Sequence, residues 1–210
     1  MVDDNDANVA GGGVALGAAY YGAVYLSDSL VTSNTAEFGG GVLMDAIDEG
    51  AIVVERTTIT GNASLADEES YDLCGGGLSV FTSYLGTATL FQSTISGNAG
   101  GGIAAVNGYG GTLYLLETDI RNNLGIGPNN YGGAGMQVVA DELSVTELVR
   151  SQISGHASRG EPSALGVLGG SGGGLYLYGY QTTPSSRDSA IANNQSTGSG
   201  GGLYLAGYAS

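Results

Sequence analysis

The sequence predicts an all-β chain folded as a parallel β-helix, and three observations carry that reading. Glycine-rich triplets end at Gly13, Gly41, Gly77, Gly102, Gly135, Gly174 and Gly202. Six of them are followed at a near-constant distance by a polar marker, 21 residues on at Asn34, Asn62, Asn98, Asn123 and His156, and 20 residues on at Asn194. Between triplet and marker, apolar residues alternate with the period of two expected of a strand with one face buried. A unit that repeats in this way cannot bury its apolar face alone and must stack on its neighbours.

The elements of one unit follow in chain order. The first strand starts directly after the triplet, where "VAL", "VLM", "LSV", "IAA", "MQV" and "LYL" place apolar residues first and third. A second strand is marked by Val24 and Leu26, Ile52 and Val54, Ala88 and Leu90, and Leu113 and Leu115. The third ends the unit: Ser29, Thr57, Ser93, Thr118, Ser151 and Ser189 stand five residues before the marker, and Val31, Ile59, Ile95, Ile120, Ile153 and Ile191 three before it. Length varies only between the marker and the next triplet, from one residue after Asn98 to fifteen after His156. That segment is a corner, where Asn suits left-handed backbone and side chain to backbone bonding, and Gly allows close approach. The chain forms a single domain of about seven rungs with three short strands each, opening and ending partway through a rung.

The pairing of "GGGL", "GGGV" or "GGGI" with "I-x-x-N" resembles the paired glycine and F-x-x-N motifs of polymorphic outer-membrane proteins. More broadly, it resembles the right-handed parallel β-helix passengers of secreted bacterial surface proteins. The likeness covers nearly the whole chain, although Ile or Val stands here where that family prefers Phe. It implies a right-handed, single-stranded β-helix of the pectate-lyase-like kind, with adhesion or surface display as its role.

Composition narrows the function. The chain has 210 residues with 40 Gly and only three Pro, and its formal charge is −15, from 20 Asp plus Glu against five basic residues, all Arg. Such a surface repels nucleic acid and anionic lipid. There is no basic and apolar leader at the start and no apolar run long enough to span a bilayer, so neither nucleic acid binding nor membrane insertion by this segment is expected. The expected location is extracellular or at a cell surface. Cys74 has no disulfide partner in the chain and reads as a small buried apolar residue.

Candidate site residues are weighed against the repeat. His156 occupies the Asn column and reads as a stand-in for a corner Asn. Asp28, Arg56, Gln92, Glu117, Arg150 and Asp188 form another column, which predicts cross-rung ion pairs of Asp28 with Arg56 and of Arg150 with Glu117 and Asp188. The alternative is a polysaccharide lyase or glycosidase that uses Glu117, Asp119, Arg150 and Asp188. Asp67, Glu68, Glu69 and Asp72 in the longest acidic corner are candidate calcium ligands, as are Asp3, Asp4 and Asp6, although no cofactor is required. Asn62 and Asn194 begin glycosylation sequons. Tyr176 and Tyr204, at outward positions of adjacent rungs, with Tyr178, Tyr180 and Tyr208 nearby, form a candidate binding face for a glycan or protein ligand, and Tyr20, Tyr84 and Tyr109 share a turn column. Three roles follow in order: a non-catalytic adhesin or display stalk, a subunit that self-associates end to end into a fibre, and a polysaccharide-active enzyme.

Overall fold

The computed structural model describes residues 1–65, 75–126, 133–159 and 172–208. Those residues are all-β, with no helix among them. Three long parallel sheets hold most of the strands. Sheet I contains Val14–Ala18, Val42–Ala46, Leu78–Thr82, Ile103–Asn107, Met136–Ala140, Leu175–Tyr180 and Leu203–Tyr208. Sheet II contains Ala23–Ser27, Ala51–Glu55, Thr87–Phe91, Thr112–Leu116, Val145–Val149 and Thr183–Arg187. Sheet III contains Val2–Asp3, Leu30–Thr32, Thr58–Thr60, Thr94–Ser96, Asp119–Arg121, Gln152–Ser154 and Ala190–Ala192. The chain visits the sheets in that order and then returns to sheet I beside its previous strand.

Register keeps equivalent residues in contact. Val42, Leu78, Ile103, Met136 and Leu175 form one inward column of sheet I. Ile52, Ala88 and Leu113 do the same in sheet II, and Val31, Ile59, Ile95, Ile120, Ile153 and Ile191 in sheet III. These columns meet in one apolar core. The terminal strand shows what a neighbour contributes: Leu203 and Leu205 are 43% and 59% exposed, whereas their partners Leu175 and Leu177, with a strand on each side, are 6% and 5%. Burial of each apolar side chain is thus shared with the next strand, so the stack stabilises itself cooperatively.

Two expectations about the unit are corrected. A fourth element follows the marker, as Thr35–Ala36 paired with Ala63–Ser64, and Leu124–Ile126, Ala157–Arg159 and Gln195–Ser196 paired in series. These pieces of two or three residues are too short to show alternation, which hid them in the sequence. In addition, strict alternation breaks at Ser79 and Ala104, outward positions that are nonetheless buried; the Ser79 hydroxyl accepts a hydrogen bond from the Gly75 N–H at 3.3 Å, which folds it under the glycine corner. The single spacing of 20 also has a cause. Four residues separate the paired strand ends Ala140 and Val145, but only three separate their partners Gly179 and Thr183, so the turn between sheets I and II is one residue shorter there.

Candidate functional site

The polar columns come first, because they take up most of the chemistry that sequence alone left open. Asn34, Asn62, Asn98 and Asn123 are buried side by side, and each amide bonds the next. Asn98 is representative. Its Oδ1 accepts from the Asn62 N–H at 3.0 Å and from Asn62 Nδ2 at 3.1 Å. Its own Nδ2 donates to Asn123 Oδ1 at 2.9 Å and to the Ile59 carbonyl at 3.2 Å. The same bonds form whether the partners are 36 residues apart, as for Asn62 and Asn98, or 25, as for Asn98 and Asn123. Extra length is absorbed elsewhere.

The reason for Asn at this place differs from the one expected. It is the residue before the marker that adopts the left-handed conformation, at Asp4, Ser33, Gly61, Gly97, Asn122, Gly155 and Asn193. Asn is required for its planar amide, which presents one acceptor and one donor in opposite directions along the stack. His156 meets the same demand. Its Nδ1 accepts from the Asn123 N–H at 3.1 Å, and its Nε2 lies 2.9 Å from the Ile120 carbonyl. That arrangement requires the neutral ring with the proton on Nε2, so the imidazole reproduces the amide's acceptor and donor.

Burial holds the His156 pKa below its ordinary value of 6.5. Protons therefore bind the unfolded chain more readily than the folded one. The contribution of His156 to stability is complete above the unfolded pKa of about 6.5 and is lost as pH falls through that value toward the lower folded one. Melting curves between pH 5 and 8 are expected to show a steeper acid-side decline for the wild type than for His156→Asn. Parallel curves would mean that the ring is not buried neutral.

A second ladder runs through the Ser/Thr column. The hydroxyls of Ser29, Thr57, Ser93, Thr118, Ser151 and Ser189 each donate to the carbonyl two residues back. Thr57, Ser93, Ser151 and Ser189 also accept backbone N–H groups from the neighbouring rung, as Ser93 does from Thr57 at 3.2 Å and Ser151 from Thr118 at 3.1 Å. Sequence reasoning found this column but not its purpose. A further buried set, Thr82, Asn107 and Thr146, went unnoticed; Thr82 Oγ1 donates to Asn107 Oδ1 and Asn107 Nδ2 to Thr146 Oγ1, both at 2.9 Å.

The charged column lies outside. Arg56 forks onto Asp28 at 2.7 and 2.8 Å, and Arg150 reaches Glu117 at 2.6 Å. The expected bridge from Arg150 to Asp188 does not form, because Arg150 turns to the opposite neighbour, where Gln92 also donates to Glu117 at 2.8 Å. Gln92 first, and then Arg150, holds the Glu117 carboxyl below its ordinary pKa. Asp119 is engaged by Arg121 at 3.2 Å instead of joining Glu117.

The remaining candidates divide in three. The candidate calcium ligands Asp67, Glu68, Glu69 and Asp72, together with Cys74, lie outside the described residues, and among those described no three metal-binding side chains cluster. The glycosylation expectation is corrected at Asn62: its side chain is 1% exposed, and its Nδ2 donates to Val31, Thr60 and Asn98, leaving no path for a sugar. Asn194 is only half-buried; its Nδ2 donates to the Ile153 carbonyl and its Oδ1 accepts from the His156 N–H. The tyrosines, in contrast, form ordered surface features. Tyr176 and Tyr204 stack with centroids 5.2 Å apart and planes within 3°, while Tyr178 and Tyr180 share their face of sheet I.

A second stack lies at the turn between sheets I and II, where Tyr84 and Tyr109 are 5.3 Å apart and within 4° of parallel. An open cleft of about 410 Å³ adjoins it, lined by Tyr20, Tyr21, Asp48, Glu49, Tyr84, Leu85 and Tyr109. The Glu49 carboxylate, hydrogen-bonded to the Tyr21 hydroxyl, raises that phenol's pKa. Tyr21, Asp48 and Glu49 were not singled out from sequence, although the Gly22, Gly50 and Gly86 that close each turn mark their column. Comparison with protein-family models, curated proteins and solved structures found no match.

Proposed function

We propose that the chain is a right-handed, single-stranded parallel β-helix that acts without catalysis, outside the cell or on its surface, as an adhesin or display stalk that presents tyrosine faces to a glycan. The coil is supported by contacts within single repeats. A methyl group added to Gly41, Gly77 or Gly102 would meet the amide of Asn62, Asn98 or Asn123 at 2.6–2.9 Å. Each triplet thus packs against the marker 21 residues on, which explains the fixed spacing.

The observation that carries the functional reading is the stacked Tyr176–Tyr204 pair. Stacked amphipathic rings held at rung spacing on a rigid sheet offer a preformed apolar contact with phenolic hydroxyls to a sugar at little cost in conformational entropy. A catalytic reading has less support. A glycosidase acid needs a raised pKa, whereas Glu117 is lowered by its neighbours, and the only His serves the Asn column. An exterior location follows from the motif resemblance and suits a Lys-free surface of charge −15.

A glycan array probed with the whole chain is the test, run beside an assay for reducing ends released from the same polysaccharides. Retention of a defined glycan class without release is expected. Release that disappears in Glu117→Ala would establish the enzyme instead.

A further inference from the structure

The turn between sheets I and II holds an anomaly that the display role does not require. In its first three copies both central residues take positive φ without glycine, Tyr20 and Tyr21 at 51° and 64°, Asp48 and Glu49 at 48° and 63°, Tyr84 and Leu85 at 49° and 64°, whereas the fourth has glycine second, Tyr109 and Gly110 at 46° and 76°. The turn closes with an N–H to carbonyl bond across three residues, as from Gly22 to Ala19 and from Gly86 to Ser83, both at 2.9 Å. Two consecutive left-handed residues are the signature of a type I′ turn, for which Asn-Gly is the favoured pair. A chain with 40 glycines places Tyr-Tyr, Asp-Glu and Tyr-Leu there instead. Such strain persists where the side chains serve a purpose.

Their arrangement shows what the purpose is. Backbone bonds from Tyr21 to Asp48, from Glu49 to Tyr84 and from Leu85 to Tyr109 stack the turns in register. Tyr20 and Tyr84 are therefore separated by two strand spacings, about 9–10 Å, with the short Asp48 side chain between them. The open cleft at this place is lined by both tyrosines and by Asp48, with Glu49 and Leu85 beside them. Tyr20 is 79% exposed and Tyr84 58%, so the rings do not serve the core.

We propose that this cleft is an aromatic cage for a quaternary ammonium group, with Tyr20 and Tyr84 as its walls and Asp48 as its counter-charge. A ring face attracts a cation through its quadrupole within about 6 Å of the centroid, so a cation midway between the two rings is in reach of both. A sphere of methyl groups fills the gap that a flat sugar ring would leave loose. The carboxylates of Asp48 and Glu49 select for positive charge. This site is separate from the Tyr176–Tyr204 face, and either can stand without the other.

Choline chloride is the probe, titrated against the full chain by calorimetry, with 3,3-dimethylbutan-1-ol as its neutral isostere. Choline is expected to bind at least tenfold more tightly than the isostere, and Asp48→Asn to weaken it several-fold. The double substitution Tyr20→Asn, Tyr21→Gly relieves the turn, and it is expected to raise the melting temperature while weakening choline at least tenfold; Tyr84→Gly is expected to weaken it equally. Phosphatidylcholine vesicles tell a lipid headgroup from a free ligand, since only a headgroup site retains them. Equal affinity for choline and isostere, no choline binding at 20 mM (about twenty-thousandfold weaker than a 1 μM site), or unchanged affinity in the Tyr20→Asn, Tyr21→Gly chain would overturn the proposal.

Discussion

Replacing Asn98 by Ala is expected to destabilise the folded chain by about 3–5 kcal/mol, although the substitution is a short side chain at a corner. Asn98 sits mid-ladder, bonded on both sides. Its removal orphans the buried Asn62 N–H, worth about 1–3 kcal/mol once unpaired, takes an acceptor from Asn62 Nδ2, and leaves a void beside Gly77. The loss is a large fraction of the 5–15 kcal/mol typical of a domain. Urea unfolding followed by circular dichroism is the measurement, and a lowered midpoint at unchanged slope is the expected result. Asn98→His, which copies the solution found at His156, is expected to recover part of the loss above pH 7. A midpoint in Asn98→Ala within error of wild type would mean that the amides merely accompany the stack.

Gly77→Ala is expected to be as damaging, through one added methyl group. The new carbon would lie 2.7 Å from the Gly102 carbonyl oxygen, 2.8 Å from Asn98 Nδ2 and 2.9 Å from Ile95 Cγ2. The first of these is backbone of the neighbouring rung and cannot swing aside. Relief requires parting two rungs or displacing the Asn98 amide, and overpacking together with the disturbed ladder bonds costs about 3 kcal/mol or more. The control is Gly17→Ala in the first strand of sheet I, which has open space around the added carbon and is expected to be neutral. Soluble yield and melting temperature of the two variants make the comparison, and an equal response would show that the glycines are not placed for close packing.

The repeat was legible because the coil between triplet and marker has almost constant length, so Gly, Ile and Asn columns align by counting. The sequence also exposed the inward residues, since Val, Ile and Leu alternate with polar residues in strands five residues long. What lay hidden was geometry that residue type does not encode. Nothing in "YY" or "DE" announces two left-handed residues, because composition rules assign that turn to Asn and Gly. Spacing predicted Arg150 to pair with both Glu117 and Asp188; the added donor Gln92 gathers the charges at Glu117. His156 could be placed in the Asn column by spacing, but the ring nitrogens that make it equivalent to an amide are visible only with neighbours in place.

The inward columns use their polar groups to hold the stack, and the glycan contact proposed above is assigned to the outward Tyr176–Tyr204 pair. That division is tested most directly by the affinity of the paired variant Tyr176→Ala, Tyr204→Ala for the glycan class the wild type retains. The account predicts a weakening of at least tenfold, from two rings worth about 0.5–1.5 kcal/mol each beyond their buried area. Wild-type affinity in that variant would contradict it.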